Sequence, residues 1–135
     1  MNKRCFIDSN LWIYAAIADG SEKSERARKL IENEEVVIST QVINEVSFNL
    51  LRKYHYTEAE ITVFIRHISA TCQVQHLTVL TCLTASNLRQ RYRLSFWDSL
   101  IVATALDSHC AVLYSEDMQE GQRIENRLTI CNPFS

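Results

Sequence analysis

Four acids fall at places where acids can do chemistry: Asp8, Glu45, Asp98 and Asp117. Asp8 ends the apolar pair Phe6-Ile7 and is followed by Ser9 and Asn10. Taken singly, each acid has an ordinary reading. Asp8 suits a helix cap, Glu45 an ion pair or solvent, Asp98 the third position of a capping box, and Asp117 a turn. Taken together they raise an electrostatic question. Two unit charges ~4 Å apart repel by about 4 kcal/mol at an effective dielectric of about 20. A cluster of carboxylates therefore needs protons or cations. Mg²⁺ or Mn²⁺ suits such a cluster, because both take hard oxygen ligands and keep several waters. An ion held this way orients water, lowers its pKa and binds a phosphate oxygen, which is the apparatus of phosphodiester hydrolysis.

Whether the acids meet depends on the elements that carry them. Short apolar runs at 4–7, 36–38, 73–77, 111–114 and 128–130 read as buried strands. Between them lie helical patterns at 11–18, 22–33, 41–53, 81–92 and up to 107. Thr40 is a candidate cap for the third of these. Thr57-Glu58-Ala59-Glu60 is a capping box, opening a further helix with Ile61, Phe64, Ile65 and Ile68. Strands that alternate with helices, and are apolar throughout, call for a parallel sheet covered on both faces. Ligands of such sheets sit beyond the carboxyl ends of the strands. Asp8 and Asp117 follow strands, and Glu45 lies in the second turn of a helix leaving one. Asp98 is not placed by alternation, because no strand directly precedes its helix.

The length of 135 residues, with 47% hydrophobic and 22% charged, suits one domain spanning 1–135. No run of 18 apolar residues occurs, and the N-terminal stretch lacks a signal peptide's apolar segment, so a cytoplasmic protein without a membrane partner is expected. Five cysteines without a C-x-x-C pair are expected to be buried reduced thiols. The net charge of -2 excludes binding of nucleic acid by bulk charge alone.

The stretches FIDSN at 6–10, VINEV at 42–46, FWDSLIVATAL at 96–106 and LYSEDM at 113–118 resemble, in order and spacing, the acid-bearing segments of PIN-domain ribonucleases. The resemblance is greatest to the short VapC-type toxins of bacterial toxin–antitoxin pairs. It implies a three-layer α/β/α sandwich around a mainly parallel, five-stranded sheet. It also implies Mg²⁺- or Mn²⁺-dependent endoribonuclease activity, a homodimer and a cognate antitoxin. Carried over residue by residue, Asp8, Glu45 and Asp98 match the family's regular metal-site acids, and Asp117 its more variable fourth. Glu116 is an alternative for that fourth place. Asn10 matches a supporting polar position. Ser115 stands where the family often has threonine, to orient the acid two residues on or bind a water. The resemblance also brings Asp98 to the cleft, because small residues at Ala103, Thr104 and Ala105 would let its helix lie close to the sheet.

Arg89, Arg91 and Arg93, ahead of Phe96-Trp97, are candidate RNA-binding residues, or else cations suiting a helix C-terminus. Lys53-Tyr54-His55-Tyr56 is a weaker candidate of the same kind. Trp12 reads as a core or dimer residue. None of the four histidines is spaced for a metal. Among rivals, a haloacid-dehalogenase-type phosphatase needs a second Asp where Asn10 stands. A receiver or flavodoxin-like domain lacks its paired acid, lysine or phosphate loop. A PIN-like domain that only binds RNA or protein stays open.

Overall fold

The first strand, β1 (Arg4–Ile7), has Cys5, Phe6 and Ile7 all buried, so it is covered on both faces. In the computed structural model, which describes residues 3–135, it lies inside a sheet ordered β3-β2-β1-β4-β6-β5. Its neighbours are β2 (Glu35–Ser39) and β4 (Val112–Tyr114), both parallel to it. Phe6 pairs with Val37 on one side and with Leu113 on the other. β3 (Gln73–Gln75) extends the sheet beyond β2, and β6 (Leu128–Cys131) beyond β4, again in parallel.

The sheet has six strands, not the expected five. The five expected strands form the parallel set. The extra one, β5 (Arg123–Ile124), is a two-residue antiparallel edge on β6. Glu125 and Asn126, both at positive φ (51° and 55°), make the tight turn between them. Turns of that kind usually advertise themselves with Asn-Gly or Asp-Gly; Glu-Asn does so only faintly.

α1 (Ser9–Ile17), α2 (Glu22–Asn33), α3 (Thr40–Lys53) and α4 (Glu58–Thr71) pack in succession, α1 against α2 and α3, and α3 against α4. α5 (Val79–Arg91) and α6 (Phe96–Asp107) form a separate hairpin. The result is an α/β sandwich with a mostly parallel centre. The capping box is present at Thr57 and Glu60. The cap of α3 is Ser39 rather than Thr40, its hydroxyl accepting Val42 N–H at 3.2 Å. Among the described residues, no helix is long and apolar enough to cross a membrane.

From β1 the chain moves outward through β2 to β3, then returns to place β4 on the other side of β1. The carboxyl ends of β1 and β4 therefore flank the point where the winding reverses, which is where open parallel sheets hold ligands. Trp12 helps fix this edge. It is buried, and its Nε1 donates to the Ile7 carbonyl at 3.0 Å. The cysteine expectation holds for Cys5 and Cys110, whose thiols burial pushes up to about 12. It fails for Cys82, which is exposed on α5; Cys72 and Cys131 are half-buried, and all five are free.

Candidate active site

Asp8 follows β1 directly and its backbone N–H donates to the Tyr114 carbonyl of β4 at 3.0 Å. That bond seats it between the two strand ends. The Asp8 residue is also the N-cap of α1, so the capping and site readings coincide in one side chain. Its Oδ1 accepts Ser9 N–H at 2.7 Å and its Oδ2 accepts the Ser115 hydroxyl at 3.0 Å. Burial pushes its carboxyl up to about 6; the Ser9 and Ser115 donors pull the other way, and Asp98 and Glu45 add repulsion.

Glu45 reaches the same place from α3. Its Oε2 accepts the Ser9 hydroxyl at 2.7 Å and its Oε1 accepts Gln41 Nε2 at 2.8 Å. Ser9 thus links the first two acids, one through its N–H and the other through its hydroxyl. Asp98 arrives in the first turn of α6, whose following residues Ser99 through Leu106 are all buried. Burial raises its carboxyl above the usual range, the Ser95 side chain lowers it, and Asp117 and Glu45 raise it again. The helix that alternation could not place is therefore within electrostatic reach of three other acids. Asp117 is exposed beyond β4, and its Oδ2 accepts Asn10 Nδ2 at 2.6 Å.

All the donors in this network are uncharged. Among the described residues the ion pairs join Arg4 to Glu35, Lys23 to Glu116 and Arg91 to Glu125; none reaches the four acids. The set offers hard oxygens and excess negative charge. Gln41 Oε1, buried without a hydrogen-bond partner, adds a spare oxygen on the residue that holds Glu45. Among the described residues, no three acid, histidine or cysteine side chains converge to ligate one ion. A hydrated Mg²⁺ or Mn²⁺, which takes one or two carboxylates and completes its shell with water, fits this donor set.

The chain matches the sequence model of the PIN domain over residues 5–120. It belongs to that family. No curated protein matches it. Among solved structures this PIN domain is similar to a toxin–antitoxin complex from Klebsiella pneumoniae. The identity is 21%, the TM-score 0.70, and 96% of this chain and 97% of the other are covered. It is also similar to VapBC2 from Rickettsia felis bound to a promoter DNA fragment, at 18% identity, TM-score 0.67, and 96% and 98% coverage. A third is VapC20 of Mycobacterium tuberculosis, a sarcin–ricin-loop-cleaving toxin, at 21% identity, TM-score 0.66, and 81% and 86% coverage. These likenesses establish a common fold.

Within the PIN domain several side chains take different partners from those expected. Ser115 holds Asp8, not Asp117, and its oxygen also accepts Met118 N–H at 3.2 Å. Asn10, expected as a supporting polar residue, gives that support to Asp117. Glu116 turns away from the acids: it accepts the Tyr14 hydroxyl at 2.6 Å and pairs with Lys23. Lys23 and Tyr14 hold its carboxyl below the usual range. Its charge is compensated by these two partners. Of the candidate RNA-binding arginines, Arg89 donates to Ser99 Oγ at 2.6 Å and Arg91 to Glu125 at 2.5 Å. Tyr92 accepts Glu125 N–H and donates to its carboxylate, so Arg91 and Tyr92 brace the β5–β6 turn. Arg93, the third, is solvent-exposed. Ser9, Gln41 and Tyr14 were not anticipated. Ser9 adjoins Asp8 in sequence, but its bond to a residue 36 positions away required the fold.

Proposed function

We propose that this PIN domain is a Mg²⁺- or Mn²⁺-dependent endoribonuclease acting on single-stranded or exposed RNA, and the toxin of a toxin–antitoxin pair. The observation that carries the reading is the group Asp8, Glu45, Asp98 and Asp117 at the sheet's switch point, mutually repelling and served only by neutral donors. Family membership makes nuclease chemistry the natural use of such a group.

Asp8, Glu45 and Asp98 are the acids that would hold the ion, with Asp117 as the more variable fourth. When bound, the ion supplies positive charge to a phosphate oxygen and activates water toward phosphorus. The protein's own part is positional. Ser9 and Ser115 fix both oxygens of Asp8, Gln41 and Ser9 fix Glu45, and Asn10 fixes Asp117. A carboxylate whose pKa is raised by burial and by neighbouring acids is a ready acceptor for a proton from water. The antitoxin is proposed by resemblance, supported by the complexes named above; the cytoplasmic setting is proposed from the lack of a signal-like or membrane-spanning apolar run. A homodimer is proposed likewise; exposed Val79, Leu80 and Leu83 at the start of α5 form an apolar surface a second copy would cover.

The test is to sequence RNA ends after expression of the chain and of Asp8→Asn. New ends of a defined sequence in the first sample only are expected. Identical end profiles would leave the second reading, a PIN domain that binds without cleaving.

A further inference from the structure

Large aromatics seldom stand in solvent without a use, and two stand directly before Asp98. Phe96 is 54% exposed and Trp97 63% exposed, both in the first turn of α6. Their rings meet edge to face at 5.1 Å between centroids and 78° between planes. The Arg89 guanidinium lies 4.4 Å from the Phe96 centroid, and Ser99 Oγ fixes its other side at 2.6 Å. Ser99 in turn donates to the Phe96 carbonyl. Arg89, Phe96 and Trp97 therefore form a braced stack, in which the indole has lost part of its freedom before any ligand arrives.

We infer that Trp97 is a stacking platform for an unpaired base of the RNA strand, next to the phosphate cut at Asp98. The inference rests on the nuclease reading above and names the substrate feature that reading leaves open. Two observations favour a base over another occupant. Trp97 and Asp98 are consecutive residues in the first turn of α6; their side chains leave the helix in different directions but from the same end, within one nucleotide's reach of each other. The chain is also acidic overall, with its acids gathered at this edge, and phosphate attraction cannot supply much affinity. Stacking is insensitive to that charge and tolerates any base. The apolar patch at Val79, Leu80 and Leu83 lies at the opposite end of the α5–α6 hairpin, where Thr81 meets Asp107. It is separate from the Trp97 platform.

The test uses Asp8→Asn protein, whose one side-chain oxygen still accepts Ser9 N–H while its amide NH2 faces the Ser115 hydroxyl oxygen, and a short single-stranded oligoribonucleotide without Mn²⁺. Adding Trp97→Ala is expected to weaken binding roughly ten- to hundredfold, and Trp97→Phe to restore most of it. An oligonucleotide made abasic along its length should bind the parent as weakly as it binds Trp97→Ala. Equal affinity of parent and Trp97→Ala for the normal strand overturns the inference. So does a Trp97→Ala that halves the molecular mass in solution while binding RNA unchanged, which assigns the aromatics to a second copy. Wild-type protein is assayed for cleavage alongside. Absence of cleavage with Trp97-dependent binding intact would sink the nuclease reading and leave the platform standing.

Discussion

Glu116 and Asp8 are two acids at one sheet edge, and the fold treats them in opposite ways. Glu116 receives a lysine and a tyrosine hydroxyl, and its carboxyl is held low. Asp8 receives an amide N–H and a serine hydroxyl, faces two other carboxylates, and is pushed up to about 6. A cation was available nearby: Lys23 reaches the residue next to Asp117. The contrast teaches that the charge at Asp8, Asp98 and their neighbours is left uncompensated by the protein itself. A site that stores repulsion is destabilising until something positive enters, which is why these acids are the candidate site.

The contrast is broken most sharply by activity. Asp8→Asn or Asp98→Asn should lower Mn²⁺-dependent RNA cleavage by more than about a hundredfold. Glu116→Gln should stay within a few-fold of wild type in the same assay. A large loss in Glu116→Gln would make it the fourth acid after all.

The same variants should move stability in opposite senses without metal. Asp8→Asn at pH 7 removes a buried charge whose pKa is raised from 3.8 to about 6, a gain on the order of 3 kcal/mol at most. Glu116→Gln removes a compensated charge and should lower the melting temperature slightly. Urea titrations of both variants in a chelator check the signs.

pH sharpens the comparison further. Between pH 4 and 6 folded Asp8 keeps a proton that the unfolded chain has released. Its contribution to stability is therefore full below its ordinary value of 3.8 and is lost as pH rises through about 6. Glu116 runs the other way. Its contribution is present above its ordinary 4.5 and is lost as pH falls through its lower folded value. In metal-free protein the melting temperature should fall with rising pH across 4–6, and Asp8→Asn should flatten that slope. The smallest effect expected is from Ser115→Ala, which takes one donor from Asp8. About tenfold lower cleavage, with the pH midpoint of activity moved upward, is expected in a pH–rate profile.

How much of this was legible in the chain depends on what each feature needs. The five parallel strands and their helices follow from apolar runs such as Cys5-Phe6-Ile7, which only a doubly covered strand explains. β5 did not show, because two residues carry no periodicity and Glu125-Asn126 is a weak turn signal. The four acids were legible as a set through their order along the chain. Which acid each helper serves was not. Ser115 and Asn10 each lie within two residues of one acid, yet bond across the β1–β4 edge to the other segment's acid, and that exchange exists only once the strands pair. Arg91 shows a similar dependence on the fold: it looks like a free cation until the β5–β6 turn brings Glu125 to it.

The most direct measurement is the melting temperature of wild type, Asp8→Asn and Glu116→Gln with and without saturating Mn²⁺. At a hundred times the dissociation constant, binding adds about 2.7 kcal/mol, a rise on the order of 10 °C for a chain of this size. That rise is expected in wild type and Glu116→Gln, and its loss in Asp8→Asn. No rise in wild type, or an equal rise in Asp8→Asn, would contradict a metal site built on Asp8.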